Sequence, residues 1–443
     1  MRLVTLTLCA SIAALPTIAI AQAGAGASEP SAEEDRGREG VEIVGHVLKP
    51  VPLEWSAERM ERLALPPGFA LNVFARDLEN ARMMQVAEDG TLYLTRRAQG
   101  DVLMLRDTNG DGVADQRQVV AQKEEMHGIE IVDDTIYLIT VNDLYKAQRN
   151  ADGTLGELEM IASDFPEGGQ HPNRMVVMGP DDRLYVSVGS TCNACGETNE
   201  ENATIVSLAP DGSDRRVWAS GLRNTIGYGF EPTTGQAYGF DHGIDWLGDN
   251  EQHEEFNRLN EGERYGWPYV YALSRFNPQD TPPDQSFSDY AAGSVEPIGL
   301  HTPHSAPMQM AFDTSGALPE EYRGDAFIAL RGSWNRLPPS GFEVLRVDFD
   351  NGEPIGMEPF LTGFLMEDDE SPTGWGQMGR LAGLTQGPDG ALYVSDDENG
   401  IIYRITYEGE GAPARPTPTF TNADNGDLEL GLVTSESRGT TMP

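Results

Sequence analysis

A short pattern of apolar and polar residues recurs along the chain. In each copy, an acidic turn separates two apolar runs. Each copy opens on a polar residue, and its second run begins Leu-Tyr or Ile-Tyr. The clearest copies are RMMQVAEDGTLYLTRR from Arg82, HGIEIVDDTIYLITV from His127 and RMVVMGPDDRLYVSVG from Arg174. Apolar runs of this length around an Asp-rich turn predict β-hairpins. Stretched copies with longer insertions begin at Arg223, His304 and Arg380.

The spacing of these hairpins indicates how they assemble. Equivalent turns at Asp89, Asp133 and Asp181 are 44 and 48 residues apart. Repeats of that length, each unable to bury both its faces alone, are typical of propeller blades. Six copies predict an all-β protein, a six-bladed β-propeller with four-stranded blades, over residues 46–408. Because inner strands line the channel of a propeller, we expect the polar residues that open the repeats at one end of it. They are Arg82, His127, His171 or Arg174, Arg223, His304 and Arg380.

Both ends of the chain differ from this repeated body. Met1 and Arg2 precede an apolar run to Ile20 and then small residues, a pattern that predicts a signal peptide over residues 1–21. A membrane anchor is the alternative, disfavoured because the run is short and contains Pro16. We expect no transmembrane segment after cleavage. Residues 22–45 and 409–443 lack apolar periodicity and are predicted to be a mobile N-terminal segment and a disordered C-terminal tail.

Composition narrows the choice of partners. The chain has 71 acidic and 31 basic residues and a net charge of −40. Nucleic acid is excluded as a partner, because its binding needs a cationic surface that displaces counterions from phosphates. The 49 glycines and 29 prolines disfavour long helices and agree with a turn-rich β protein.

Cys192 and Cys195 are the cysteines that remain after signal cleavage removes Cys9. They form a CxxC pair in the run GSTCNACGETN, where metal binding, redox chemistry or a small-loop disulfide are all open. Gly196 stands where c-type haem attachment requires histidine, so haem is excluded there. In an oxidising compartment we expect a disulfide that stiffens the loop.

Four motifs, in order over residues 66–407, resemble the pyrroloquinoline-quinone (PQQ)-dependent glucose/sorbosone dehydrogenases, most closely the sorbosone-dehydrogenase-like branch. They are HPNRMVVMGPDDRLYVSVGS, GLRNTIGYGFEPTTGQAYGFDHGIDWLGDNEQHEEFNRLNEGERYGWP, RGSWNR and GRLAGLTQGPDGALYVSDDENGIIYRI. The resemblance implies a soluble propeller enzyme with PQQ and Ca²⁺ as cofactors.

By this resemblance, His171 is the catalytic base. Sugar oxidation removes an O–H proton as hydride leaves carbon, and an imidazole suits that task at neutral pH. In part of the family a carboxylate after this hairpin orients the histidine, whereas this chain has Gly189 and Ser190 there. The orienting partner stays open among the backbone, Ser190 and Glu197.

Cofactor binding is assigned in the same way. A quinone with three carboxylates needs fixed cations, and the fork of arginine fits carboxylates better than lysine does. The candidate cofactor-binding residues are Arg223, Asn224, Arg331, Arg380, Arg174 and His127. The backbone carbonyls of Gly243 and Ile244 match the calcium turn of the family. There Ca²⁺ would polarise the quinone carbonyl that receives hydride.

A second calcium site is conceivable in the run DTNGDGVAD. Its acidic and amide residues occupy positions 1, 3, 5 and 9 of an EF-like loop: Asp107, Asn109, Asp111 and Asp115. Gln118 stands at position 12, where the bidentate Glu would be. Structural calcium and a plain acidic hairpin tip both remain open.

The leading functional hypothesis is a periplasmic or secreted oxidoreductase that acts on an aldose, a sorbosone-like sugar aldehyde or a related alcohol. A separate acceptor, a cytochrome or a quinone, would take the electrons, because the chain carries no haem motif. One alternative is a calcium-dependent, lactonase-like hydrolase, which would need carboxylates and Asn side chains around its metal. The other is a non-catalytic carbohydrate-binding propeller.

Overall fold

The computed structural model describes residues 43–419 and 430–433. The predicted signal peptide and nearly all of the predicted mobile segment 22–45 lie outside these residues. Six sheets of four or more strands confirm the predicted fold. We call them blades I to VI, and list each from its innermost strand outward.

Blade I is Met84–Val86, Leu92–Arg96, Asp101–Arg106 and Gln116–Gln122. Blade II is Gly128–Val132, Thr135–Ile139, Leu144–Gln148 and Glu159–Ala162. Blade III is Val176–Met178, Leu184–Val188, Thr204–Leu208 and Arg216–Ser220. Blade IV is Gly227–Phe230, Ala237–Asp241, Glu254–Leu259, Gly299–His301 and Gly431–Leu432. Blade V is Pro307–Phe312, Ala326–Leu330, Glu343–Asp350 and Glu353–Leu361. Blade VI is Leu381–Gln386, Leu392–Asp396, Ile401–Tyr407 and Phe69–Ala75.

Smaller elements decorate this ring. Two minor sheets contain Val51–Pro52, Leu365–Glu367 and Trp375–Gln377, and Val270–Tyr271 and Arg275–Phe276. The helices are Ala57–Met60 and Phe287–Ala292, and the 3₁₀ turns are Glu320–Tyr322 and Gly409–Gly411. In the described part of the chain, no helix is long and apolar enough to cross a bilayer.

The ring is closed by strands from opposite ends of the folded segment. Phe69–Ala75 runs antiparallel to Ile401–Tyr407, so blade VI contains one early strand and three late ones. Between blades, Tyr228 donates its hydroxyl proton to the carbonyl of Tyr185 at 2.8 Å. Gln309 of blade V bonds both backbone groups of Met84 in blade I, at 2.9 and 2.7 Å. Such contacts fix the inner strands relative to one another, and therefore the loops that follow them.

Part of the segment predicted to be a disordered tail, 409–443, packs on the propeller. Arg415 donates to the carbonyls of Met60, Leu63 and Leu71. Gly431–Leu432 adds a strand to the outer edge of blade IV. One arginine can donate to several backbone carbonyls, and the edge of a sheet offers unpaired backbone groups. A polar segment such as this one can therefore pack on the propeller through hydrogen bonds, without a hydrophobic core of its own.

One buried carboxyl gives a testable pH dependence of stability. Glu343 is 1% exposed, and its Oε2 has no partner among the described residues. Burial raises the pKa of this carboxyl to about 8. The native state therefore keeps the Glu343 proton up to about pH 8, whereas the unfolded chain releases it near pH 4.5. Protonated Glu343 contributes fully to the free energy of unfolding below pH 4.5, and this contribution is lost as the pH rises towards 8.

Glu343→Gln removes this titration. Between pH 5 and pH 8.5 the free energy of unfolding of the wild type should fall relative to that of the variant, by at most about 5 kcal/mol. Denaturant titrations at both pH values measure the difference. The exposed Glu159→Gln is the control, and equal differences at the two pH values would contradict the prediction.

Candidate functional site

His171 lies in the connection that leads into blade III, beside the turn that ends its second strand. Its Nδ1 is 3.0 Å from the carbonyl oxygen of Ser190 and 2.8 Å from the Ser190 hydroxyl. That hydroxyl donates to the carbonyl of Cys192, so it accepts from the imidazole. Ser190 therefore fixes the Nδ1–H tautomer, and the unprotonated Nε2 makes no hydrogen bond within residues 43–419 and 430–433. Of the three open candidates for the orienting partner, Ser190 is in place through both its backbone and its side chain.

The surroundings keep this imidazole neutral. Burial, the Arg223 guanidinium and His242 lower the pKa of His171 to about 2. Glu197 is engaged elsewhere, because it accepts from the amide and hydroxyl of Thr191. A neutral ring with one nitrogen held and the other open has the form that proton abstraction needs.

A second group of polar side chains joins blades I, V and VI. Arg331 donates from Nε and Nη2 to the two oxygens of Asp397, at 3.0 and 3.1 Å. Arg82 also contacts Asp397, whose side chain is 2% exposed. The two arginines hold the pKa of Asp397 below its usual value despite burial. Arg380 donates to the carbonyls of Arg331 and Gly332, so three blades are tied together here.

Arg223, at the start of blade IV, is held in a similar way. Its Nε and Nη2 donate to the carbonyl and side-chain oxygens of Asn193, and Nη2 also reaches Asp245 at 2.6 Å. Arg223, Arg331 and Arg380 thus each use Nε and Nη2 for protein contacts. In the described part of the chain, Nη1 of all three forms no hydrogen bond. These three donors are oriented by their own partners and remain available to an anion.

Asn224 and His171 both pack against Gly189. A methyl group built on Gly189 would lie 2.6 Å from His171 Cβ and 2.9 Å from Asn224 Oδ1, so Gly189 is where these two side chains converge. The backbone amides of Arg223 and Asn224 both donate to Asp241. Any side chain at position 189 would push His171 and Asn224 apart.

The Gly243–Ile244 turn offers two backbone oxygens. Both residues are buried, and their amides donate to Glu254 and Gln252. Among the described residues no donor bonds either carbonyl, although buried carbonyls are nearly always paired. Two such oxygens suit Ca²⁺, which prefers hard oxygen ligands. The turn therefore fits the predicted metal, and Asp245, the partner of Arg223, follows it directly.

Two of the candidate cofactor ligands face the protein instead. Arg174 is fully buried, and its guanidinium donates to the carbonyls of Val141, His171 and Pro166. His127 bonds the Arg174 carbonyl through Nδ1 at 2.8 Å and accepts from Arg82 through Nε2 at 3.1 Å. With all these donors used, the geometry gives Arg174 and His127 a supporting role.

The 107–115 loop is closed on itself. Asp107 accepts the amides of Gly110, Asp111 and Gly112, and Asp115 accepts the amide and hydroxyl of Thr108. Asn109 and Asp111 likewise bond backbone amides two residues ahead. Within the described residues these carboxylates do not converge as metal ligands would. The loop has the features of an acidic hairpin tip.

Cys192 and Cys195 form the disulfide that the sequence predicted. Their sulfurs and Glu197 are the one group of potential metal ligands that converges in the described ranges. Because both sulfurs are in the disulfide, this group is not a zinc site.

Sequence reasoning missed several residues near the site. Asp397 pairs with Arg331, and Asn335 donates to the Asp245 carbonyl at 2.9 Å. Trp246 and Trp334 form an edge-to-face pair with ring centroids 5.2 Å apart, although they are 48% and 37% exposed. In the sequence, Trp246 follows Asp245 and Trp334 precedes Asn335. This adjacency is the sequence signal that could have identified the two tryptophans.

Fold and site together define a closed six-bladed propeller with fixed guanidinium donors, an oriented neutral imidazole and two unpaired carbonyls. The model of the TrAA12-like family matches residues 63–408, and the chain belongs to that family. It is 26% identical over 372 residues to an uncharacterized protein of Borreliella burgdorferi, covering 78% of this chain and 91% of that protein. It is 25% identical over 232 residues to a PQQ-dependent pyranose dehydrogenase of Coprinopsis cinerea, covering 43% of this chain and 31% of that protein.

The fold is shared with a solved structure of a Trichoderma reesei carbohydrate-active enzyme of family AA12, determined with calcium. The TM-score is 0.67 at 20% identity, covering 83% of this chain and 99% of that one. The sorbosone-dehydrogenase-like branch, which the motifs suggested, is not among these relatives. The wider family of the resemblance is the one that the comparisons support.

Proposed function

We propose that this protein is a PQQ- and Ca²⁺-dependent oxidoreductase. Its substrate would be an aldose, a sorbosone-like sugar aldehyde or a related alcohol. The observation that carries the proposal is the tautomer of His171, whose Nε2 is left open while Ser190 holds Nδ1 and the Arg223 guanidinium lies close enough to lower the pKa of the imidazole. The pyranose dehydrogenase among the relatives supports both the quinone and a sugar substrate.

Each part of the site then has a task. His171 Nε2 accepts the hydroxyl proton of the substrate, and Ser190 holds the ring through Nδ1 as charge develops. Nη1 of Arg223, Arg331 and Arg380 would bind the carboxylates of PQQ, and the carbonyls of Gly243 and Ile244 would ligate Ca²⁺. The chemistry that the two cofactors supply when bound is acceptance of a hydride at a carbonyl that the metal polarises.

The two alternative functions have less support. A lactonase-like hydrolase would hold calcium in carboxylate and Asn side chains. In the described residues no such carboxylate cluster forms. A non-catalytic carbohydrate-binding propeller gives no reason for an imidazole that is held neutral by burial beside a guanidinium. The exposed Trp246–Trp334 pair suits sugar binding, since aromatic faces pack on apolar surfaces, but it serves a sugar dehydrogenase equally well.

Location and electron transfer complete the proposal. We propose that the protein works in the periplasm or outside the cell, because a disulfide such as Cys192–Cys195 persists in an oxidising compartment. A separate acceptor, a cytochrome or a quinone, would reoxidise the cofactor.

Reconstitution tests the proposal directly. Apoprotein mixed with PQQ and Ca²⁺ is expected to reduce an artificial dye with at least one aldose or sugar aldehyde, and chelation is expected to abolish this activity. Absorbance titration follows PQQ binding independently of turnover. The same mixture without PQQ is the control. Absence of PQQ binding at micromolar concentration would end the dehydrogenase proposal, and hydrolysis of lactones by the Ca²⁺-loaded protein would favour the lactonase.

A further inference from the structure

The disulfide loop Cys192–Cys195 contacts both halves of the proposed site. On one side, the Cys192 carbonyl accepts the Ser190 hydroxyl proton at 2.8 Å, and that hydroxyl in turn accepts from His171 Nδ1. The loop therefore determines where the hydroxyl points. Without the Cys192 carbonyl, the hydroxyl could rotate away, and Nδ1 would keep only its bond to the Ser190 carbonyl.

On the other side, Asn193 holds Arg223. Its carbonyl accepts from Arg223 Nε at 2.9 Å and from Trp267 Nε1 at 3.3 Å. Its side-chain oxygen accepts from Arg223 Nη2 and from the amide of Asp245, both at 2.8 Å. One residue thus orients the guanidinium and also ties it to the segment that follows the Gly243–Ile244 turn.

These contacts need the adjacent carbonyls of Cys192 and Asn193 to be held in fixed directions. A four-residue ring closed by a disulfide has few backbone conformations, whereas the open loop has many more. Both carbonyls lie within the ring. A single covalent bond therefore fixes the hydrogen bonds to the imidazole and to the guanidinium together.

We propose that the Cys192–Cys195 loop is the positioning element of the site, with Cys192 orienting His171 through Ser190 and Asn193 orienting Arg223. The proposal rests on the dehydrogenase function for its catalytic consequences, but its structural part stands apart from that function. Asn193 and Ser190 are positioning residues that act on different groups, so their effects separate.

The test compares four variants with the wild type. Asn193→Ala is expected to weaken PQQ binding about tenfold and to leave kcat at saturating PQQ within about twofold, because it removes contacts to Arg223 and to the Asp245 amide but none to Ser190 or His171. Ser190→Ala is expected to lower kcat about tenfold at unchanged PQQ affinity. Cys192→Ser/Cys195→Ser should show both losses. Glu197→Ala, which removes two hydrogen bonds from the same connection but none to His171 or Arg223, should show neither.

Hydrogen exchange of the apoproteins gives a readout that needs no cofactor. The double serine variant is expected to exchange faster at residues 189–194 and 222–225, where the Ser190 amide bonds the Arg223 carbonyl, and unchanged in blade VI. Dithiothreitol should produce the same change in the wild type and none in the double serine variant.

Normal PQQ affinity, kcat and exchange in the double serine variant would overturn the proposal, as would equal losses in Glu197→Ala. If the wild type itself bound no PQQ, the proposed function would fail. The exchange result would then still decide whether the loop fixes these segments.

Discussion

Replacing His171 with alanine is expected to lower kcat by about 10²- to 10⁴-fold, the range in which general-base catalysis contributes. Cofactor affinity should stay close to that of the wild type, because the residues proposed to bind PQQ carboxylates keep their own partners. Steady-state dye reduction at saturating PQQ and an absorbance titration of PQQ measure the two quantities separately. A loss confined to kcat is what distinguishes a base from a ligand.

The pH dependence of this reaction adds a second check. Because the pKa of His171 is lowered to about 2, the base stays deprotonated through the mildly acidic range. The rate should therefore show no loss from protonation of this imidazole near pH 6.5, its ordinary value. His46→Ala is the control for the loss of a histidine elsewhere in the protein, because His46 is half-exposed and bonds Asp249. Its kcat should equal that of the wild type. A His171→Ala enzyme that kept wild-type kcat would show that another group is the base.

Alanine at Arg223, Arg331 or Arg380 is expected to weaken PQQ binding by roughly tenfold to a hundredfold at each site. A hydrogen bond between charged groups contributes about 1.5–3 kcal/mol, and each arginine presents one unengaged Nη1. Lysine should recover only part of the affinity, since it lacks the second nitrogen that keeps the side chain bound to its own acceptor. Absorbance titration of PQQ into each variant gives the dissociation constants.

The partner of Arg331 requires a separate check of stability. Arg331→Ala leaves the buried Asp397 with Arg82 as its remaining cation, so the free energy of unfolding of this variant is measured alongside its PQQ affinity. A loss of PQQ affinity in a variant that stays folded reports the missing Nη1. Arg216→Ala is the control, because its side chain is 44% exposed on the outer strand of blade III. Equal affinities across the whole series would refute the assignment of these arginines.

The repeated hairpin could be predicted from the sequence because each blade must place an apolar strand on either side of a tight turn. Asp89, Asp133 and Asp181 lie in those turns. The origin of the outer strand of blade VI, Phe69–Ala75, was not specified, since an outer strand without a repeat motif resembles any other apolar run. Pairing between distant segments depends on edge hydrogen bonds, which leave little trace in local pattern.

The candidate site was likewise predicted only in part from the sequence. His171 and the three arginines were predicted from the motifs, and the structure places them in the polar groups described above. What each donor bonds was not found. The side chain of Arg149 is paired with Asp89 and Asp134 and is only 9% exposed, which no sequence pattern indicated. Arg174 donates to three backbone carbonyls, whereas Arg223 donates to Asn193 and Asp245, and loop geometry sets this difference.

Closure of blade VI has a consequence for biosynthesis. A ribosome that stops early releases a chain in which Phe69–Ala75 has no strand to pair with and in which Arg380 and Asp397 are missing. Such a product has an open sheet edge, which invites proteolysis or aggregation. Under the proposed function it would also bind PQQ weakly, because Arg380 is missing.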